Sequence, residues 1–199
     1  MFAPCGCGKT DITFAYLGVD PFFLIYKEDP FNKIVEIDGR TVSVDILDLG
    51  DQDFISEMRY SYYVQVNYII LTFSIENRYS LDEVTLMHSN ISDCVDLDHV
   101  PIVIAANYAH LRDEEDRNDL IPIDEYKHIE KNLNSPIIEV STKTGLGIEE
   151  LFMTAIRKYL ILNNIGKYKK NENTHIKPEN SKKKKEKKKS FWARHFGKK

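Results

Sequence analysis

The chain has 199 residues, 42% hydrophobic and 11% aromatic, enough for one sizeable core with or without a tail. Its net charge of −4 conceals an asymmetry: residues 167–199 hold 13 Lys, one Arg and three Glu, a net +11, leaving −15 on residues 1–166. Three cysteines are too few for a disulfide framework, the N-terminal stretch lacks a signal-peptide pattern, and no apolar run can span a bilayer, so a cytosolic-side protein is expected.

In chain order, the first feature is A-P-C-G-C-G-K-T over residues 3–10. It follows the phosphate-loop pattern G-x-x-x-x-G-K-[ST], with Ala3 at the first glycine position. In such a loop the glycines let backbone N–H groups curl around phosphates. The lysine neutralises the outer phosphates, and the hydroxyl ligates Mg²⁺. A lone Gly-Lys-Thr also occurs by chance in surface loops. Cys5 and Cys7 have no Cys or His partners at ligand spacing, which argues against zinc.

Ile34, Val35 and Ile37, then Asp38-Gly39, then alternating Val42, Val44 and Ile46 predict a β-hairpin, because a tight primed turn needs positive φ. Residues 66–74, 100–106 and 135–141 are short apolar runs, expected of strands covered on both faces. Ser80-Leu81-Asp82-Glu83 has the form of a capping box, and Leu81, Val84, His88, Ile91 and Val95 follow at helical spacing. A second helix begins near Ile148, with Leu151, Phe152, Ala155, Ile156, Tyr159 and Leu160 on one stripe. One hairpin followed by strand–helix repeats predicts an α/β domain with a doubly wound, mostly parallel sheet. The domain is expected to cover 1–164, and 165–199 a disordered, polybasic tail.

Several segments, taken in order, resemble the Ras family of small GTPases across residues 3–163. V-S-V-D-I-L-D-L-G-D-Q-D-F-I-S-E-M-R-Y-S-Y-Y is similar to that family's second switch. V-P-I-V-I-A-A-N-Y-A-H-L is similar to its base-recognition strand and loop. I-I-E-V-S-T-K-T-G-L-G-I-E-E-L-F is similar to its last strand, S-A-K loop and last helix, and K-E-D-P-F-N-K-I-V-E-I-D-G to its effector segment. The resemblance implies a GTP/GDP and Mg²⁺ site. Cys5, Gly6, Cys7, Gly8, Lys9 and Thr10 would cradle phosphate, with Thr10 and Asp48 on the metal. Gln52 would orient the attacking water. Asn107, Tyr108, His110, Ser141, Thr142 and Lys143 would surround the base. Lys27, Glu28 and Asp29 would meet an effector or regulatory protein, although an acidic, solvated edge strand reads the same way.

The departures bear on chemistry. The family's N-K-x-D loop is Asn107-Tyr108-Ala109-His110 here, so the carboxylate that accepts from guanine N1–H and N2–H₂ is absent. Asp51 stands where a glycine amide normally meets the γ-phosphate. Tyr26 replaces the Mg²⁺-binding threonine of the first switch, and Cys5 replaces a loop glycine. These changes predict slow or absent GTP hydrolysis. They leave two readings, a GTP/GDP-binding signalling protein and a pseudo-GTPase that serves as an interaction module. In this fold the strand ahead of the phosphate loop is central. The sequence therefore predicts a truncated first strand, with either an apolar strand further upstream or a markedly unstable domain.

In the tail, Lys182–Lys199 combines a lysine run with Phe191, Trp192, His195 and Phe196 on one face of a short helix. A reversible anchor to anionic membrane lipid fits this pattern, at the cytoplasmic face of the plasma membrane or in the cytoplasm. A nuclear import signal is the rival, and an inert solvated tail the simplest alternative. The acidic body is not expected to bind DNA.

Overall fold

The computed structural model describes residues 1–4, 6–20, 31–49, 63, 65–115 and 117–165. Helix α1 spans Lys9–Leu17, and strands β1 (Asn32–Ile37) and β2 (Arg40–Asp45) form the hairpin. Then follow β3 (Ile69–Ser74), α2 (Arg78–Ser92), β4 (Ile102–Asn107) and a short 3₁₀ turn at Ala109–Asp113. Helix α3 (Ile123–Leu133), β5 (Ile137–Glu139) and α4 (Ile148–Leu162) complete the order. The predicted α/β class, with a parallel sheet and one antiparallel hairpin, is what the chain adopts.

The hairpin pairs in the register that its turn dictates, with Ile37 opposite Arg40 and Val35 opposite Val42. Asp38 and Gly39 both take positive φ, 50° and 72°, as the two-residue turn requires. Strands β3, β4 and β5 run parallel in that order. Every residue of β3 and β4 is buried, because helices cover both faces. Leu71, Phe73 and Ile104 pack with Leu81, Val84 and Ile91 of α2 and Tyr126 of α3. Ile70, Val103 and Ala105 pack on the other face with Ile12 and Tyr16 of α1 and Leu151, Phe152 and Ile156 of α4. The Tyr16 and Phe152 rings stack at 3.7 Å, which locks α1 against α4.

Met1–Pro4 stands in the place of the first strand. Phe2 donates its N–H to Ile70 O and accepts from Thr72 N–H, both at 2.9 Å, a parallel bridge to Leu71. On its other side Met1 donates to Leu47 O and accepts from Leu49 N–H. This short segment joins the hairpin to the three-stranded sheet. Residues of β2, β3 and α4, among them Phe152, Ile156 and Leu160, line a cavity of about 370 Å³ beside it.

Boundaries differ from expectation at several ends. The apolar runs at 66–68 and 100–101 lie ahead of their strands, and β5 keeps three residues. The expected capping box at Ser80 is corrected: the helix begins at Arg78 with Asn77 as N-cap. Buried Ser80 instead accepts from Ser74 N–H at 3.0 Å and donates to Asn77 O at 2.6 Å, tying the start of α2 to the end of β3. That buried tie outweighs a reciprocal cap exposed to water.

His88 of α2 is buried, with Nε2 2.8 Å from Ser135 Oγ and Nδ1 3.3 Å from Ser92 Oγ. Burial holds its pKa below the ordinary value, so the folded state keeps the ring neutral. The unfolded chain takes up a proton near pH 6.5, and the folded chain at lower pH. Stability from this group is therefore complete above about pH 6.5 and declines as pH falls below it. Urea unfolding at pH 7.5 and 5.5 should show a smaller loss in His88→Gln than in the unaltered chain.

Candidate functional site

The loop after Phe2 turns sharply onto α1. Gly6 and Gly8 take positive φ, 78° and 73°, which side chains other than glycine's adopt at a cost. Gly8 also meets the end of β4 closely: a Cβ there would lie 2.5 Å from Asn107 Nδ2 and 3.0 Å from Tyr108 Oη. Ile12 N–H bonds Gly8 O at 3.0 Å, the first turn of α1. The N–H groups at the start of α1 consequently point out of the helix, where they favour an anion. Pro4, Gly6, Cys7, Gly8, Lys9, Thr10, Asp11 and Tyr108 line a cavity of about 270 Å³.

Lys9 Nζ lies 3.5 Å from Asp48 Oδ1, with side-chain exposures of 13% and 9%. The separation is that of an ion pair, and Asp48 Oδ1 is buried with no hydrogen bond among the described residues. A buried carboxylate oxygen without a donor is costly, and a cation beside it would relieve that cost. Two left-handed glycines, one pressed against Asn107, a helix N-terminus, and a mostly buried lysine ion-paired to a carboxylate oxygen that accepts no hydrogen bond fit a phosphate with a divalent cation. Lys9 and the α1 amides would hold the phosphate, with Thr10 and Asp48 holding the metal.

The base-side residues come from two loops. Asn107 is fully buried, donates Nδ2–H to Cys7 O at 3.0 Å, and accepts from Tyr108 N–H at 2.7 Å. Tyr108 takes φ of 69° and donates its hydroxyl to Gly6 O at 3.0 Å. Partial burial, and then the negative charge of Asp11, raises the Tyr108 phenol above its ordinary value, so it stays a donor. Both side chains thus brace the phosphate loop, a role that reading Asn107 and Tyr108 as base contacts did not contain. His110 Nδ1 is 2.9 Å from Ser141 Oγ, which joins the loop after β4 to the loop after β5. That second loop closes through Ser141 N–H to Leu146 O and Gly145 N–H to Ser141 O. It leaves Thr142 half-buried and Lys143 exposed.

Sequence reading also missed Arg112. Its Nε donates to Glu139 Oε1 at 2.5 Å and its Nη2 to Ile121 O at 2.9 Å, while Tyr126 hydroxyl donates to the same carboxylate oxygen. This anchors the turn carrying His110 to β5. No local pattern marks these partners, which meet only in the folded chain. Cys5, Tyr26, Lys27, Glu28, Asp29, Asp51 and Gln52 lie outside the described residues, as does 182–199. The described part of the site therefore unites Gly6–Thr10, Asp48, Asn107, Tyr108, His110 and Ser141–Lys143.

A family model described as the Ras family matches residues 3–161. Ras-like protein 1 of Saccharomyces cerevisiae is 30% identical over 82% of this chain and 52% of its own length. Ras-like protein rasC of Dictyostelium discoideum is 33% identical over 77% of this chain and 80% of its own. Ras-like protein rasZ of the same organism is 32% identical over 76% and 70%. The chain thus spans about half the length of the yeast relative.

The two loop glycines make separable contributions. Gly6→Ala meets nothing within 4 Å and bears only the left-handed strain, whereas Gly8→Ala also displaces Asn107 and Tyr108. Chemical denaturation should show a cost of about 1–2 kcal/mol for Gly6→Ala. Gly8→Ala should cost at least about 1 kcal/mol more, through the hydrogen bond that Asn107 loses.

Proposed function

The chain belongs to the Ras family of small GTPases, and on that premise we propose that it binds GTP and GDP with Mg²⁺ in signal transduction, with hydrolysis weakened or absent. The observation that carries this reading is the pairing of Lys9 with the orphaned carboxylate of Asp48 beside the N-terminus of α1. Lys9 would turn from Asp48 towards a bound phosphate, and Asp48, with Thr10, would then hold a divalent cation in place of the lysine charge, so the two ligands would support one another. Bound Mg²⁺ contributes charge neutralisation at the phosphates. The protein's own groups orient the ligand: α1 amides and Lys9 at the phosphates, Tyr108 and Asn107 behind the loop.

Weak hydrolysis is supported by Cys5, Tyr26 and Asp51, which stand where the family resemblance calls for a glycine, a threonine and a glycine. Gln52 remains for water positioning. A second reading, an interaction module with little nucleotide binding, is favoured by His110, which stands in place of a base-reading carboxylate. In either case Lys27, Glu28 and Asp29 offer a partner-binding segment, and Lys182–Lys199 a basic, aromatic anchor to anionic lipid at the cytoplasmic face of the plasma membrane.

Titration with fluorescent GDP and GTP, with Mg²⁺ or with a chelator, separates the two readings. The first expects binding at micromolar protein, weakened at least about tenfold both by Lys9→Ala and by the chelator. Absence of binding leaves the interaction module. For the tail, removal of residues 182–199 should abolish co-sedimentation with phosphatidylserine vesicles; retained binding contradicts the anchor.

A further inference from the structure

We propose that His110 turns the base end of the site into a hydrogen-bond donor, and that the site therefore accepts guanine and adenine nucleotides alike. This inference rests on the nucleotide reading above and concerns which base that site takes.

Ser141 is fully buried. Its oxygen accepts from Thr144 N–H at 3.2 Å and lies 2.9 Å from His110 Nδ1. A buried hydroxyl hydrogen needs an acceptor, and among the described residues the lone pair of Nδ1 is the one within reach. Ser141 thus donates to Nδ1, and the neutral ring carries its hydrogen on Nε2. In the cation Nε2 carries hydrogen as well, so this nitrogen is a donor in both forms.

Nε2 makes no hydrogen bond to a described residue, and the half-buried ring stands edge-to-face with Tyr108 at 6.4 Å. The N–H groups of Thr142 and Lys143 likewise bond to no described residue. The groups offered to a base by His110 and by these two amides are accordingly N–H donors. Along its Watson–Crick edge guanine presents one acceptor, O6, and two donors, N1–H and N2–H₂. It satisfies the amides but turns hydrogen towards hydrogen at His110. Adenine presents a lone pair at N1, which accepts from Nε2–H, and an amine that faces the amides unfavourably. Each purine gains one match and suffers one conflict. Discrimination by the base edge is lost, and the shared phosphates dominate binding.

The test is competition for a fluorescent nucleoside diphosphate on the full chain with Mg²⁺, using GDP and ADP. In the unaltered chain the two should bind within about tenfold of each other. His110→Asp supplies two acceptors and should favour GDP over ADP by more than about tenfold. His110→Ala removes the donor and should move the two affinities in opposite directions, strengthening GDP and weakening ADP. A merely structural role for His110 would weaken both together. A GDP preference above about tenfold in the unaltered chain, or parallel shifts in His110→Ala, overturns the inference while leaving the nucleotide site standing. Failure of both nucleotides to bind overturns the nucleotide reading itself, and this inference with it.

Discussion

The amide of Asn107 is the point on which the site is assembled. Fully buried at the end of β4, it donates to Cys7 O in one loop and accepts from Tyr108 N–H in the next. An amide buried there without both partners would leave a polar group unpaired, so the two loops are obliged to approach. That approach leaves no room for a side chain at position 8. The glycine thus serves a packing demand as well as a turn. Tyr108 hydroxyl then bonds Gly6 O, so the end of β4 and the residue after it brace the phosphate loop at two carbonyls just ahead of α1.

Elements with strong local signals were legible. The Asp38–Gly39 step and alternating valines specified the hairpin and its register, and the apolar stripe from Ile148 specified α4. Helix α1 was not legible by periodicity, because its apolar and polar residues do not divide into faces; only the loop motif announces it. Ser80 misled for a physical reason. Its sequence neighbours form a capping box, but its hydroxyl is buried against β3, and a tertiary partner outweighs a local one.

Within the site, the candidates for phosphate and metal contact were readable, since their chemistry is carried by residue type at fixed spacing. Lys9 and Asp48, far apart in the chain, stand 3.5 Å apart in the fold. The supporting contacts were not readable. That Tyr108 braces a loop depends on the approach of the phosphate loop to the end of β4, and that Ser141 fixes the orientation of His110 and that Arg112 holds the intervening turn to Glu139 depend on side chains brought together by the parallel register of β4 and β5. Such register carries no local signature. The absence of a carboxylate at position 110 was visible in the sequence, whereas the direction of the hydrogen bonds replacing it required the neighbour.

The phosphate loop also follows the segment that links the hairpin to the three-stranded sheet. The hairpin and the three-stranded sheet are joined by the backbone bonds of Met1 and Phe2, beside a 370 Å³ opening between β2 and β3. Phe2 reinforces the seam by burial and by an edge contact with Tyr63 at 5.1 Å. The two sheets also meet through side chains, since Val35, Ile37 and Val44 of the hairpin pack with Ile70 and Val103. A ligand gripping the loop and Asp48 would engage both sides of the seam, because Asp48 follows β2 and the loop pairs through Phe2 with β3. Ligand bound only by the folded state adds its binding free energy to folding. A ligand held by both the loop and Asp48 would in this way couple occupancy of the site to the docking of the hairpin on the three-stranded sheet.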